Sequence, residues 1–193
     1  MKKVFTKLIA LTLLMLLMTV SAGAAAAIDT ITIDGVSYTL PCRLEAFIEN
    51  GWRIGTDYQE WIQNGYEVDR SYKAGDTVPS GSFCMYLRLE KNGMSFGVLL
   101  GKNTQSKKLS RFVVCSTSFC KYNRMPSLRY LGVTLDWASP NEIGRAVRLA
   151  GGTFVQWSDD EAYAELSEMF MNMNFYNGSY YEMHIGLNES VDF

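Results

Sequence analysis

Polar and apolar residues alternate along four short stretches of the chain, as they do in half-buried β-strands. The stretches are ITIDGVSYTL, SFCMYLRLE, MSFGVLLG and RFVVCSTSF. Asn92-Gly93 separates the second stretch from the third, and both residues accept the positive φ angles of a two-residue hairpin turn. Because such a turn pairs Leu89 with Phe96, the alternation predicts a hairpin with one apolar side.

Two other stretches have the spacing of short helices. In CRLEAFIENGW, Leu44, Phe47 and Ile48 share one face through the i, i+3, i+4 repeat. In ASPNEIGRAVRLAGG, Ser139 is a good N-cap and Glu142 completes a capping box. Both stretches end in glycine, which suits the left-handed position just past a helix.

Two further stretches carry the same capping pattern, and we predict both as helices. TDYQEWIQNGY opens with the box at 56–59, and WSDDEAYAELSEM opens with the box at 158–161. For the second stretch, a strand from Ala162 to Leu166 is the alternative, because polar and apolar residues alternate there.

The last hairpin, FMNMNFYNGSYYEMHIGLN, needs an extra residue. A two-residue turn at Asn177-Gly178 would point Met173 and Phe175 to water. A three-residue loop that includes Ser179 pairs Met173 with Met183 and Phe175 with Tyr181. We therefore predict a bulged hairpin.

The chain repeats itself weakly. KNGMSFGVLLGKN and YNGSYYEMHIGLN share their Asn-Gly, Gly and Asn positions, and a proline-led helix precedes each. We predict an α+β fold of two related units, each with short helices packed on an antiparallel β-sheet. The predicted boundaries are 1–27 for a signal peptide, 28–121 for the first unit and 122–193 for the second.

The start of the chain resembles a bacterial secretory signal peptide. MKKVFTKLIALTLLMLLMTVSAGAAAA has a basic start, an apolar run from Leu8 to Val20 and small residues at its end. A membrane span needs ~20 apolar residues, so a retained anchor is the weaker alternative. The expected location is secreted, periplasmic or at the cell envelope, with no membrane attachment after cleavage.

Four cysteines follow this segment: Cys42, Cys84, Cys115 and Cys120. An even number in an exported chain is typical of disulfides, and two bridges allow three connectivities. Cys115 and Cys120 lie on a predicted strand, where five residues span ~16 Å. Bridged Cα atoms lie within ~7 Å, so that pair requires a turn at 116–118. Four buried free thiols are the alternative.

The residue types of catalytic and metal sites are sparse. The chain has 18 Lys and Arg, 20 Asp and Glu and one histidine, His184. It lacks the clustered positive charge of nucleic-acid binding proteins, and it lacks GxSxG, HExxH and P-loop motifs. Asp159, Asp160 and Glu161 could serve hydrolysis or hold a cation, but acids at a helix start also favour the helix dipole. We expect no catalytic residue, no metal and no cofactor.

Aromatic residues are the candidate binding groups, because exposed Tyr and Trp rings suit protein or sugar partners. The candidates are Tyr58, Trp61, Tyr66, Tyr86, Tyr176 and Tyr180. The first three crowd a segment without an apolar stripe, and the others fall on outer hairpin faces. Packing beneath the long loop is the alternative for some of them.

The order of elements resembles the beta-lactamase-inhibitor-protein-like fold, in which helix-turn-helix units lie on antiparallel sheet. The resemblance rests on IDGVSYTLPCRLEAFIENGW and on LGVTLDWASPNEIGRAVRLAGG with its following hairpin. The long segment from Tyr58 to Ser82 departs from it. The resemblance implies a noncatalytic protein-binding scaffold among exported bacterial proteins, and it supplies no inhibitory residue.

We therefore expect a secreted, noncatalytic binding module with a protein partner. A carbohydrate or cell-wall ligand bound by the aromatics of residues 58–66 is the alternative. A hydrolase that uses Asp159, Asp160 and Glu161 is the third possibility.

Overall fold

The computed structural model describes residues 27–121, 124–176 and 179–188, without the side chains of Thr56, Ser179 and Tyr180. The predicted signal peptide up to residue 26, and Asn177 and Gly178 of the predicted three-residue loop, lie outside these residues. Strands make up 53% of the structure and helices 14%.

Sixteen strands follow one another along the described chain. They are β1 (Thr30–Ile33), β2 (Val36–Thr39), β3 (Cys42–Arg43), β4 (Arg53–Gln63), β5 (Tyr66–Val68), β6 (Thr77–Val78), β7 (Ser82–Lys91), β8 (Met94–Leu100), β9 (Lys107–Lys108), β10 (Val113–Cys120), β11 (Leu128–Tyr130), β12 (Val133–Thr134), β13 (Thr153–Gln156), β14 (Glu161–Leu166), β15 (Met169–Tyr176) and β16 (Ser179–Leu187).

These strands form one large sheet and two small ones. The large sheet has the order β13-β14-β15-β16-β10-β8-β7-β4-β5, and β3 also pairs with β10. A four-stranded sheet has the order β12-β11-β1-β2, and β6 pairs with β9. Within the described part of the chain, all the strand pairs are antiparallel.

The described residues contain two α-helices, α1 (Leu44–Glu49) and α2 (Pro140–Leu149), and both were predicted. The predicted capping box of α2 is confirmed. The Ser139 side chain accepts from the Glu142 amide, and the Ser139 amide donates to the Glu142 carboxylate at 2.8 Å. The hydrogen bonds from Ser139 hold the pKa of Glu142 below its ordinary value.

The core lies on one face of the large sheet, which we call the inner face. One row of cross-strand partners shows it: Leu87, Val98, Thr117, Ile185, Met171, Ala164 and Phe154. The first six side chains of this row are almost wholly buried. Helix α2 packs against Phe154 at Gly144, where a Cβ would meet the Phe154 ring at 2.7 Å. The helices therefore cover the inner face.

Aromatic stacking joins the four-stranded sheet to this core. The ring of Tyr38 on β2 stacks on Phe47 of α1 at 4.0 Å, and Phe96 of β8 lies 5.9 Å from Phe47. All three side chains are buried. Burying a Phe side chain contributes ~1.5–3 kcal/mol, so this cluster fastens the two sheets together.

The expected α+β fold of two units, each with its own sheet, is wrong. The structure is mostly β, and both halves of the chain contribute to the same sheets. β10 of the first half pairs with β16 of the second, and β1 pairs with β11. An unpaired strand edge leaves backbone N–H and C=O groups without partners, and joining the two halves satisfies them.

The two additional helices predicted from capping patterns are also wrong. Residues 57–66 belong to the β4–β5 hairpin, with Asn64 and Gly65 in its turn at φ angles of 51° and 86°. Residues 161–166 form β14, as the alternative for that stretch held. Tertiary pairing outweighed the local capping signal at both places, because a short isolated helix is marginal in water.

The two hairpin predictions fare differently. The Asn92-Gly93 hairpin pairs Leu89 with Phe96, as predicted. In the last hairpin Met173 pairs with Met183, as predicted, but Phe175 pairs with Tyr180. A bulge exists, but the predicted three-residue loop is wrong, because Ser179 pairs with Tyr176 and the extra residue is Tyr181. Met173 and Phe175 are buried, so the bulge keeps the apolar residues inside.

The large sheet has the same strand arrangement on both sides of the central β10–β16 pair, because each half adds its strands outward in reverse chain order. Outward from β10 come β8, β7 and β4, and outward from β16 come β15, β14 and β13. A helix precedes each of these runs in the chain. This order agrees with the weak repeat in the sequence, while duplication of an ancestral unit stays a prediction.

Candidate binding face

The second face of the large sheet, which we call the outer face, carries polar and aromatic side chains. Its central row of cross-strand partners runs one residue away from the buried row described above. The row consists of Arg88, Gly97, Ser118, His184, Asn172, Tyr163 and Val155. Successive side chains of a strand point to opposite faces, so this row points away from the core.

The row crosses seven strands without a break. Neighbouring strands lie about 4.8 Å apart, so the row is about 29 Å long. Asn172 is exposed, His184 is half-buried, and Val155 is 41% exposed. The row therefore reaches the surface on strands β13 and β15, while Gly97 on β8 is buried.

The middle of the outer face has small residues under one large ring. Gly97 and Ser118 are paired across β8 and β10, and Gly186 pairs with Ser116 beside them. A Cβ on Gly97 would overlap the Tyr86 ring, so Tyr86 lies across Gly97. Burial raises the pKa of the Tyr86 phenol, and the nearby Arg88 opposes part of that rise. The phenol thus stays neutral near pH 7.

A hydrogen-bonded group of polar side chains lies beside this ring. The Asn174 side-chain amide donates to Glu182 at 3.0 Å. The Nε2 atom of His184 lies 3.5 Å from the other Glu182 carboxylate oxygen. Asn174 and Glu182 are cross-strand partners on β15 and β16. These contacts hold the side chains in place before any ligand arrives.

An exposed tyrosine and an arginine mark one end of the outer face. Tyr58 is 59% exposed, and the Arg88 guanidinium lies 5.5 Å from its ring centroid. The Arg88 Nε atom forms an ion pair with Glu90 at 2.9 Å. A polar groove of about 400 Å³ adjoins this end and is lined in part by Arg53, Arg88 and Glu90.

A tryptophan marks the opposite end. Trp157 is 63% exposed, and its ring stacks on Tyr163 with centroids 5.8 Å apart and an interplanar angle of 2°. Neither residue was predicted from the sequence, because the capping pattern of this stretch predicted a helix. The strand alternative for the same stretch would have placed Tyr163 on the outer face of the strand, with its neighbours Ala162 and Ala164 buried on the inner face.

Three of the predicted binding residues have side chains on or at the edge of this face. Tyr58 and Tyr86 are described above, and Tyr176 is 68% exposed at the end of β15. Tyr176 shares a side with Asn172 and Asn174, since Met173 and Phe175 point inward. The backbone of Tyr180 pairs with Phe175, and its side chain is outside the description.

The other two predicted binding residues lie elsewhere. Trp61 is 2% exposed, packs edge-on against Tyr72 and Phe112, and donates from Nε1 to Gln59 at 2.8 Å. Its ring is not accessible to a surface ligand. Tyr66 is 77% exposed, but it pairs with Gln63 at the β4–β5 turn. It lies off the outer face, because Gln63 shares its side of β4 with buried Trp61.

The acids at 159–161 lie in a turn and at the start of a strand. The Asp160 amide donates to the Ser158 hydroxyl, and the Phe175 amide donates to the Asp160 carbonyl. Within residues 27–121, 124–176 and 179–188, no group of three or more His, Cys, Asp and Glu residues could hold a metal ion. The structure thus adds no geometric support for chemistry at these acids.

An apolar groove of about 630 Å³ lies on another part of the molecule. Helix α2 and the β11–β12 turn form it, with Leu149, Ala146 and Val133 among its lining residues. Leu149 is 79% exposed there. None of the helices in the described part of the chain has the length and apolarity to cross a membrane.

Comparison with known proteins leaves the outer face to be interpreted from its own residues. No protein-family model matches the chain, and no curated protein or solved structure is significantly similar to it. The resemblance to the beta-lactamase-inhibitor-protein-like fold therefore stays an expectation from the sequence.

Proposed function

We propose that the protein is an exported, noncatalytic binding module whose outer face docks a protein partner. The observation that supports this proposal is the unbroken outer row from Arg88 to Val155, with exposed aromatic side chains at both ends. The proposed export rests on the signal-peptide pattern of the first 27 residues.

The dimensions of the face favour a protein over a small molecule. A standard protein interface buries ~800 Å² on each partner. Small ligands bind in concave pockets that cover most of their surface. A row about 29 Å long across a sheet has the breadth of a protein interface rather than of a small-ligand pocket.

The side chains of the outer face are arranged as in a protein interface, with aromatic anchor residues at the ends and polar residues between them. Tyr58 and Trp157 provide large rings at low entropic cost, and such rings dominate binding energy in many interfaces. Between them, His184, Asn172 and Glu182 offer donors and acceptors held on rigid strands. A partner would bury the rings and pair with these polar groups.

The test begins with the full chain immobilised and exposed to envelope proteins, culture-fluid proteins and insoluble cell wall from the source cells. Mass spectrometry identifies what is retained, and the affinity of each purified candidate is then measured. Trp157→Ala and Tyr58→Ala should each weaken binding of the partner by tenfold or more, about 1.4 kcal/mol.

Two exposed aromatic residues off this face serve as matched controls. Trp137 is 86% exposed and Tyr66 is 77% exposed. Trp137→Ala and Tyr66→Ala should bind as the unmodified chain does. Loss of binding in the controls, or unchanged binding in Trp157→Ala and Tyr58→Ala, would contradict the assigned face. Retention on cell wall alone would favour the carbohydrate alternative.

A further inference from the structure

The four cysteines differ in whether another cysteine lies close enough to form a disulfide. Cys42 on β3 is the direct cross-strand partner of Val114 on β10, and Cys115 is the next residue along β10. Directly paired Cα atoms lie about 4.5–5.5 Å apart, and one step along a strand adds about 3.3 Å. The Cα atoms of Cys42 and Cys115 are therefore about 6 Å apart, within the range that disulfides span.

A β-bulge at Cys115 removes the usual obstacle to such a diagonal pair. In a regular strand, consecutive residues point to opposite faces, and Cys115 would point away from Cys42. Here Val114 pairs with Leu100 and Ser116 pairs with Leu99, so Cys115 is the extra residue of a bulge. Bulged residues lose the regular alternation, which lets the Cys115 side chain turn toward the Cys42 side.

The other cysteine pairs are too far apart. Cys84 lies on β7, which is separated from β10 by β8, so two strand spacings of about 4.8 Å stand between Cys84 and β10. β3 lies on the far side of β10 and adds a third spacing between Cys84 and Cys42. Cys115 and Cys120 lie on one continuous strand, without the turn that their pairing requires.

We infer that Cys42 and Cys115 form the one intramolecular disulfide of the folded chain, and that Cys84 and Cys120 stay reduced. All four cysteines are free thiols in the structure, and Cys115 lies one residue from the β10 position that pairs with Cys42, whereas Cys120 lies six residues from it. The bridge would tie β3, and with it the start of α1, to the centre of the large sheet. This inference does not depend on the proposed binding function.

The reaction needs an external disulfide as the oxidant. A thiolate of the pair attacks the disulfide donor and forms a mixed disulfide, and one donor thiol leaves. The second cysteine then attacks that sulfur, so the Cys42–Cys115 bond forms and the donor leaves as its second thiol. The two cysteines lose two protons and two electrons in total, and the donor is reduced to its dithiol or to two thiols.

Folding should slow this oxidation. Burial raises the pKa of the Cys42 and Cys115 thiols to about 11 each. The reactive thiolate is therefore scarce near neutral pH once the chain is folded. We expect the bond to form while β3 is still docking onto β10.

Peptide mapping provides the test. The full chain is unfolded, reduced and refolded in a mixture of reduced and oxidised glutathione, and free thiols are then alkylated. Proteolysis and mass spectrometry without reductant should find the Cys42 peptide joined to the Cys115 peptide, with Cys84 and Cys120 alkylated. Alkylation of Cys42 or Cys115, or a bond from either to another cysteine, would overturn the assignment.

Thermal unfolding adds a test that does not depend on peptide recovery. Reductant should lower the Tm of the refolded chain by about 5–15 °C, because cross-links of this kind stabilise by a few kcal/mol. Cys42→Ser with Cys115→Ser should remove this sensitivity to reductant. Cys120→Ser is the matched control and should keep it. If the Tm of the unmodified chain is the same with and without reductant, the Cys42–Cys115 bridge is not present.

Discussion

The exposure of a single side chain in this protein depends on which face of a strand it occupies. Trp61 and Tyr58 lie three positions apart on β4, a spacing that places side chains on opposite faces of a strand, and one is 2% exposed and the other 59%. Register shifts between β4 and β7 occur on both sides of Gln59. The sequence showed the aromatic crowding, but the strand and its pairing with β7 determine which ring is buried.

Trp61→Ala should strongly reduce stability. The substitution removes a ring that contacts Tyr72 and Phe112 in the core, and a cavity of this kind costs about 3–5 kcal/mol. Tyr66→Ala, at a side chain 77% exposed, should change the free energy of unfolding by less than about 0.5 kcal/mol. Urea unfolding of both variants checks this, and equal effects would mean that Trp61 is not packed as described.

The buried thiol of Cys84 should make stability depend on alkaline pH. Burial raises its pKa from 9.0 to about 12, and the thiol donates to the Tyr86 carbonyl at 3.0 Å. The unfolded thiol ionises near pH 9 while the folded thiol stays neutral. Its contribution is therefore complete below pH 9 and is lost as the pH rises toward 12.

The matched comparison is Cys84→Ala in the presence of reductant. Between about pH 8 and about pH 10, the unmodified chain should lose about 1.4 kcal/mol more unfolding free energy than Cys84→Ala. Urea titrations at the two pH values measure the difference. Parallel losses in both proteins would show that Cys84 is not a buried neutral thiol.

Elements with strong local signals formed as the sequence predicts. Helix α2 has its Ser139 cap and Pro140 start, and the β7–β8 hairpin has its Asn92-Gly93 turn. The stretches at 57–66 and 158–166 had capping patterns too, but they became strands. β4 pairs with β7 across a long connection, and β14 pairs with β15, which follows it directly. These strand pairings outweighed the capping patterns.

The β13–β14 hairpin should depend on the absence of a side chain at Gly152. A Cβ there would meet the Glu165 carbonyl oxygen and the Leu166 side chain, both at 2.6 Å. Since a backbone atom cannot move aside cheaply, Gly152→Ala should cost about 1–3 kcal/mol. Gly75→Ala is the control, because a Cβ at Gly75 has no neighbour within 4 Å.

Chemical unfolding of the two glycine variants provides the measurement. We expect Gly75→Ala to stay within about 0.5 kcal/mol of the unmodified chain. A neutral Gly152→Ala would show that β13 can move away from α2 and β14 at no cost. Trp157 lies just after β13, so its fluorescence reports whether the outer face changes with the hairpin.

The whole molecule is held together by pairing between the two halves of the chain. β10 with β16 and β1 with β11 join them in two separate sheets. Such nonlocal pairing is invisible to a reading of local periodicity, which is why two units with separate sheets were expected. The outer face follows from the same pairing, since its row includes strands from both halves.

Fragments 28–121 and 122–193 should therefore fail to fold separately. Each would expose the partner edges of two sheets and part of the shared core. We expect neither fragment alone to unfold cooperatively, and an equimolar mixture to recover cooperative unfolding and native circular dichroism. Cooperative unfolding of either fragment alone would contradict this interdependence.

The sequence by itself determined the local features: the alternating strands, the Asn92-Gly93 turn, the capped helix α2 and the need for a bulge in the last hairpin. Each depends on residues close together in the chain, so periodicity and turn chemistry are sufficient to predict it. Tertiary structure alone decided that the two halves share their sheets, that Trp61 is buried while Trp157 is exposed, and that Cys42 lies beside Cys115. These outcomes depend on strands that are far apart in sequence, where burial of the core and pairing of strand edges outweigh local preference.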